Sequence, residues 1–481
     1  PVSHRYTGVQ WGMSEARTLF DVLRQSVTPG VVDALERLVR DAPDRKLCRV
    51  NVLAFAAAEG LGEEEVIAGF MQATRLGIFD LFWNVLCPGC GGVLDAGTSL
   101  KSVQSTEYTC ALCAAGYEPT LDEMVEVTFT VSPRIRHIEA HNPEQLSPTE
   151  YFRQIYWGSG IELPEEGFEA KVDEFVLEAL ELPPGEKAVI SLQLPPEFVI
   201  IFEPVTHAAQ FIDVKGPPTR ERQNLTMIFD RGFRHSETLE MQPGPLRISV
   251  ENHTQTRTLP SVCVANDALH DLLGRRRPFL TAKRLLSNQT FRDIYRTETV
   301  EVDQRLKITS MTFLFTDLRG STELYERVGD LAAFDLVKTH FSILRDIVGA
   351  QAGAVVKTIG DAVMATFPVP SSALLAAMRM REAMRTLNDE RGSEDLLLKI
   401  GIHEGPCIAV SLNERQDYFG QTVNIASRVQ HLATSREIFA TGAVLDDPGV
   451  LQLLAGKGLN PMSQSVALRG VADEVRVFSI P

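Results

Sequence analysis

Along the first 86 residues, apolar positions recur at helical spacing. Leu35, Leu38 and Val39 fall on one stripe, and Val52, Leu53, Phe55 and Ala56 on another. Leu61-Gly62 reads as a turn feeding Glu63-Glu64-Glu65, an acidic helix start that suits the N-terminal end of the dipole. Residues 1–86 are therefore expected to form a helical, winged-helix-like region. From about Val125 to Leu272 the period shortens. Runs such as Val125–Thr130, Ala188–Leu192, Phe198–Phe202 and Leu246–Val250 are alternating or apolar, and Pro183-Pro184-Gly185 and Pro243-Gly244-Pro245 punctuate them. This predicts an antiparallel β-sandwich over 125–274. Residues 275–306 read as a linker: Arg275-Arg276-Arg277, a proline, then a helical run from Thr281 to Tyr295 with Leu285, Leu286, Phe291 and Ile294 on one stripe. That stripe predicts a coupling helix that pairs across a dimer. Residues 307–481 alternate strand and helix patterns. Strands are expected at Ile308–Phe315, on both sides of Gly360-Asp361, at Leu396–Ile402 and at Ile408–Leu412.

With 481 residues the chain has room for several domains, an α+β multidomain protein. It carries no signal-like N-terminus and no apolar run of bilayer-spanning length, so a cytoplasmic home with no membrane contact is expected. The net charge of −16 gives no counterion-release attraction to nucleic acid. The helical region itself holds nine Lys and Arg against eleven Asp and Glu, which argues against DNA as a partner.

Four of the seven cysteines form two CxxC pairs, Cys87-Pro88-Gly89-Cys90 and Cys110-Ala111-Leu112-Cys113, nineteen residues apart. Two such turns on facing hairpins complete a tetrahedral S4 site, so residues 87–124 predict a zinc ribbon. Four thiolates leave no open position, and the expected role is one structural Zn2+. His137, His141, His207, His235 and His253 are too dispersed to make a second metal site.

The last third carries the chemistry. An acidic residue ends the first strand in Thr316-Asp317-Leu318-Arg319-Gly320-Ser321-Thr322, where Gly and hydroxyls opening a helix suit a cation beside phosphates. The Gly360-Asp361 turn projects a second carboxylate, and Asp417-Tyr418-Phe419-Gly420-Gln421-Thr422-Val423-Asn424-Ile425-Ala426-Ser427-Arg428 follows two further strands. Singly, Asp317 could be a helix cap, Asp361 a turn residue and Asn424 with Arg428 an exposed helix face. In this order, FTDLRGST, KTIGDAVMATF, GIHEGP and DYFGQTVNIASR resemble the class III adenylyl/guanylyl cyclase catalytic domain over about Lys307–Ile480.

The resemblance implies a ferredoxin-like βαββαβ core and two Mg2+ or Mn2+ ions held by Asp317 and Asp361, with the Leu318 carbonyl as a further ligand. Asn424 matches the ribose-orienting residue and Arg428 the one that stabilises the α-phosphoryl transition state. Lys399 and Arg469 match positions that contact the triphosphate. Lys357 and Asp417 match the base-reading pair; a donor and an acceptor complement adenine and oppose guanine, which favours ATP as substrate and cyclic AMP as product. The two sets of residues come from different protomers in that family, so a homodimer is implied. A cyclase of another nucleotide, GTP or a pyrimidine triphosphate, and a silent nucleotide-binding sensor or scaffold remain the alternatives. The N-terminal modules are expected to take an unidentified regulatory ligand or protein.

Overall fold

The computed structural model describes residues 9–103, 107–230, 237–295, 306–412, 415–434 and 437–481. The chain divides into two compact units. One holds residues 1–98, 106–119 and 124–280, the other residues 99–105, 120–123 and 281–481.

Helices Val9–Leu23, Pro29–Asp41, Val52–Glu59 and Glu63–Arg75 open the first unit. Asn51 caps the third by accepting the Leu53 and Ala54 N–H groups, both at 3.1 Å. The acidic triplet opens the fourth, as its sequence predicts. The helical expectation stops short of residue 86, because Phe79–Leu86 is a strand. It pairs antiparallel with Val93–Gly97 on one side and Val125–Val131 on the other. Both faces of this strand are largely covered, so its aromatic and branched residues run on without the alternation that marks a half-exposed strand. The Phe70 ring lies 5.0 Å from both Phe79 and Phe129 and joins the helices to this sheet.

A sandwich follows. Strands Gln223–Phe229, Gly244–Asn252 and Lys187–Leu194 form one sheet, and a five-stranded sheet centred on Val199–Glu203 forms the other. Ile190, Ile248 and Val250 share a core with Ile201, Ile212 and Val262 of the second sheet. The pairing departs from all-antiparallel: Gln223–Phe229 runs parallel to Gly244–Asn252, and Leu239–Met241 parallel to Ala208–Val214. The chain crosses to the other sheet between the strands of each such pair, so it returns in the same direction.

The second unit is built on an eight-stranded sheet. Leu306–Leu318 lies at its centre, between Ala362–Phe367 and Leu398–Leu412. Helices Asp330–Ala350 and Pro370–Arg391 cover one face, over a core that includes Leu314, Phe367 and Ile402. Helix Gln421–Leu432 lies on the sheet at Leu398–Leu412. Gly401 permits that approach: a Cβ there would stand 2.2 Å from the Gln430 amide nitrogen.

The two strands expected at 396–402 and 408–412 are one, Leu398–Leu412, running straight through Pro406. Opposite that proline the neighbouring strand bulges between Ile308 and Met311, so no ladder bond needs the missing proline N–H. The bulge frees the Thr309 and Ser310 amides, and Asp122 accepts both, at 3.1 and 3.2 Å, together with the Thr309 hydroxyl. Leu121 N–H also donates to the Lys307 carbonyl at 2.9 Å, which ties residues 120–123 into this unit.

The linker corrects a second expectation. It forms two short helices, Ala282–Leu286 and Gln289–Ile294, broken where Asn288 caps the second through the Phe291 N–H. Leu285, Leu286 and Phe291 are buried within this chain, so these positions of the stripe are covered without a partner helix. Residues 296–305 of the expected linker, and His235, lie outside the described residues.

Candidate active site and cysteine cluster

Two carboxylates meet at one end of the central sheet. Asp317 stands near the end of Leu306–Leu318, in register with Lys399. Asp361 follows Gly360, whose φ of +64° makes the tight reversal between Ala354–Ile359 and Ala362–Phe367. The Asp361 carboxylate accepts the Leu318 N–H at 3.3 Å. Burial, and then the charge of Asp361, hold the Asp317 carboxyl above its usual range, while Lys399 and His431 pull it down. Two half-buried carboxylates, of which Asp317 is held above its usual range by burial and by the charge of Asp361, form a donor set that a divalent cation relieves, so the residues fit the metal that the motifs imply. Gly320, at φ +73°, opens helix Ser321–Val328 directly after them.

Lys357 and Asp417 also come together, Nζ to Oδ2 at 2.5 Å, and Asp417 Oδ1 accepts the Tyr418 N–H at 2.9 Å. Asn424 and Arg428 lie one turn apart on helix Gln421–Leu432. The Arg428 guanidinium rests against the Arg469-Gly470 turn, where a Cβ on Gly470 would stand 3.4 Å from Nη2. No hydrogen bond or ion pair joins Asn424 or Arg428 to Asp317 or Asp361 within this chain, among the described residues. His403 packs rather than reacts: it bonds the Thr441 hydroxyl at 2.7 Å, and burial pushes its imidazole down to about 4.

Sequence reading missed Arg292. From helix Gln289–Ile294 its Nη2 donates to the Gln416 carbonyl at 2.9 Å and to the Val356 carbonyl at 3.4 Å. Those are the residues directly before Asp417 and Lys357. Carbonyl partners 64 and 124 positions away leave no local signal.

In the first unit Cys87, Cys90, Cys110 and Cys113 converge, with all four sulfurs within 4.8 Å of one another. Cys87 to Cys113 is 3.6 Å and Cys90 to Cys110 is 3.7 Å, against an edge of roughly 3.8 Å for tetrahedral thiolates around zinc. Each CxxC pair sits at a strand end, after Phe79–Leu86 and at the close of Tyr108–Cys110. Four thiols at this spacing cannot ionise together without a cation among them, so the cluster fits zinc.

Residues 304–452 match the model of the adenylate and guanylate cyclase catalytic domain. The adenylate cyclase of Anabaena cylindrica is 29% identical over 185 residues, covering 35% of this chain and 36% of that protein. That of Mycosarcoma maydis is 31% identical over 160 residues, covering 29% of this chain and 6% of that protein. The chain thus spans about a third or less of the length of these curated relatives. Among solved structures, the adenylyl cyclase CyaB from P. aeruginosa is similar at 22% identity, over 37% of this chain and 96% of that one, with a TM-score of 0.33. No helix among the described residues is long and apolar enough to cross a membrane. Residues 13–293, more than half of the sequence, match the family of unknown function DUF5939, so the chain belongs to that family and ends in an adenylate and guanylate cyclase catalytic domain of class III.

Proposed function

We propose that the chain converts ATP to 3′,5′-cyclic AMP and pyrophosphate at a site completed by a second copy of itself. The observation that carries this reading is the meeting of Asp317 and Asp361 beside the Gly320 helix start, in a domain matched to the cyclase family. The curated relatives named above are adenylate cyclases, which supports ATP. The strand and helix order from Leu306–Leu318 to Leu398–Leu412 is consistent with a βαββαβ core.

Asp317, Asp361 and the Leu318 carbonyl would hold two Mg2+ or Mn2+ ions. When bound, such ions neutralise the triphosphate and lower the pKa of the ribose 3′-hydroxyl. Asn424 orients the ribose. Arg428 offers a rigid fork of donors to the charge that spreads over the α-phosphoryl group in the transition state, while Lys399 and Arg469 answer the remaining phosphates. Lys357 donates to adenine N1 and Asp417 accepts from its amine. Within one chain the carboxylates have no bond to Asn424 or Arg428, which agrees with a site shared between protomers. Ile359 and Phe419 are 56% and 51% exposed beside these residues and offer apolar surface for such an interface.

The test is turnover of ATP, GTP, CTP and UTP with each metal, products resolved by mass. Cyclic AMP as the dominant product is expected; a different cyclic nucleotide, or none with any base and metal, rejects the reading. Lys357→Glu with Asp417→Lys keeps the ion pair but reverses donor and acceptor, so preference should move toward GTP by about a hundredfold or more. Asp317→Ala and Arg428→Ala chains, each inactive alone, should regain up to about a quarter of wild-type activity when mixed under exchange conditions, because one mixed site is intact. Continued silence of the mixture counts against the shared site.

Arg292→Ala should raise KM for ATP about tenfold with a smaller change in kcat, since it releases both strands that hold the base-reading pair. Arg292→Lys should recover part of the loss. A fall in melting temperature with KM unchanged would instead mark Arg292 as structural only.

A further inference from the structure

The DUF5939 region has no assigned activity, and its first unit holds a cavity of about 620 Å3, within the size range of small-molecule sites. It lies among the C-terminal end of helix Pro29–Asp41, the 42–59 segment, residues 153–165 and Arg277. Three carboxylates line it, and each already has a cation. Glu59 pairs with Arg37 at 2.6 Å, Glu165 with Lys46 at 2.8 Å and Asp41 with Arg40 at 2.8 Å.

Three further lining guanidiniums, Arg45, Arg49 and Arg277, have no carboxylate partner in an ion pair among the described residues. Arg49 donates to the Ile155 carbonyl, and Arg277 Nε to the Ser159 carbonyl at 2.8 Å, so both meet only neutral groups. In a chain of net charge −16, six basic and three acidic side chains around one cavity are a local reversal of sign.

One further observation marks the same place. Arg49 is a non-glycine residue at φ +48°, a strained backbone held by its N–H bond to the Thr130 hydroxyl at 3.0 Å. Leu38, Phe55, Ile161 and Leu163 supply apolar wall.

We infer that this cavity is a binding site for a small organic oxyanion, a carboxylate or a phosphate carried on an apolar body. The guanidiniums take the anionic head and the apolar wall takes the rest, in a site separate from the cyclase chemistry.

The test is calorimetry and thermal shift on the full chain, without added magnesium or manganese, using phenyl phosphate, benzoate, inorganic phosphate and uncharged benzyl alcohol. Saturable one-to-one binding of phenyl phosphate or benzoate is expected. The stronger of the two identifies the head group, inorganic phosphate binds more weakly, and benzyl alcohol gives no signal. Arg45→Gln with Arg277→Gln should weaken that binding at least about tenfold. Should the pair destabilise the fold, Arg45→Gln alone, at an exposed side chain, should still weaken it severalfold, and unchanged affinity in that variant then overturns the assignment. Absence of saturable binding by either organic anion, unchanged affinity in both variants, or equal binding of benzyl alcohol overturns the assignment.

Discussion

Asp361→Ala is expected to lower cyclic nucleotide formation by about three orders of magnitude or more while leaving the melting temperature near that of the wild type. The side chain is half-buried at a two-residue reversal and takes one hydrogen bond, from Leu318 N–H, so its removal leaves little packing to repair. Its chemical role has no substitute. Asp317 is the carboxylate whose charge Asp361 opposes, and alone it cannot answer the charge of a bound triphosphate. Lys399 stands in register with Asp317 and persists in the variant, so ATP affinity should fall far less than turnover. Measuring kcat and nucleotide affinity on the same preparation separates the two. A variant that keeps more than about a tenth of wild-type kcat would remove Asp361 from the catalytic assignment.

The second large effect is on stability. Cys90→Ser with Cys110→Ser should abolish zinc binding, which is expected at one equivalent per chain in the wild type. It should also lower the stability of the first unit by at least about 3 kcal/mol, a fall of roughly 10 °C in its melting transition. Both sulfurs are buried and lie 3.7 Å apart, and the cluster joins the turn after Phe79–Leu86 to the hairpin of Tyr108–Cys110 and Ala115–Tyr117. Few other contacts hold strands of three residues, so the cross-link is expected to carry much of their order. A strong chelator should reproduce the shift in the wild type and leave the double variant unmoved. A metal-free wild type with an unchanged transition would show that the thiols hold this region without an ion.

Much of the candidate site was legible because its pieces are local. A carboxylate at a strand end, a Gly-Asp reversal and a CxxC turn each occupy a few consecutive residues, and their geometry follows from those residues. The Gly360 turn and the convergence of four cysteines appear where the sequence places them. The proposed base-reading pair needed more. Only the register that sets Val410 opposite Asp417, and Lys357 on a neighbouring hairpin, brings the two side chains to 2.5 Å.

The parts that escaped sequence reading share one cause. Pro406 reads as a strand break, yet the strand continues because a bulge faces it and Asp122, 187 residues before Thr309, accepts the amides that the bulge frees. Arg292 carries no signal in its own segment, yet it bonds two carbonyls on separate strands. The stripe of Leu285, Leu286 and Phe291 reads as an interface, yet this chain buries it. Sequence by itself determined the local turns, the chemistry of the carboxylates and thiols, and the faces that must leave water. Tertiary structure alone decided which distant backbone groups they meet, because hydrogen-bond partners and burial are properties of the closed chain, while a residue's neighbours in sequence constrain only its own turn or strand.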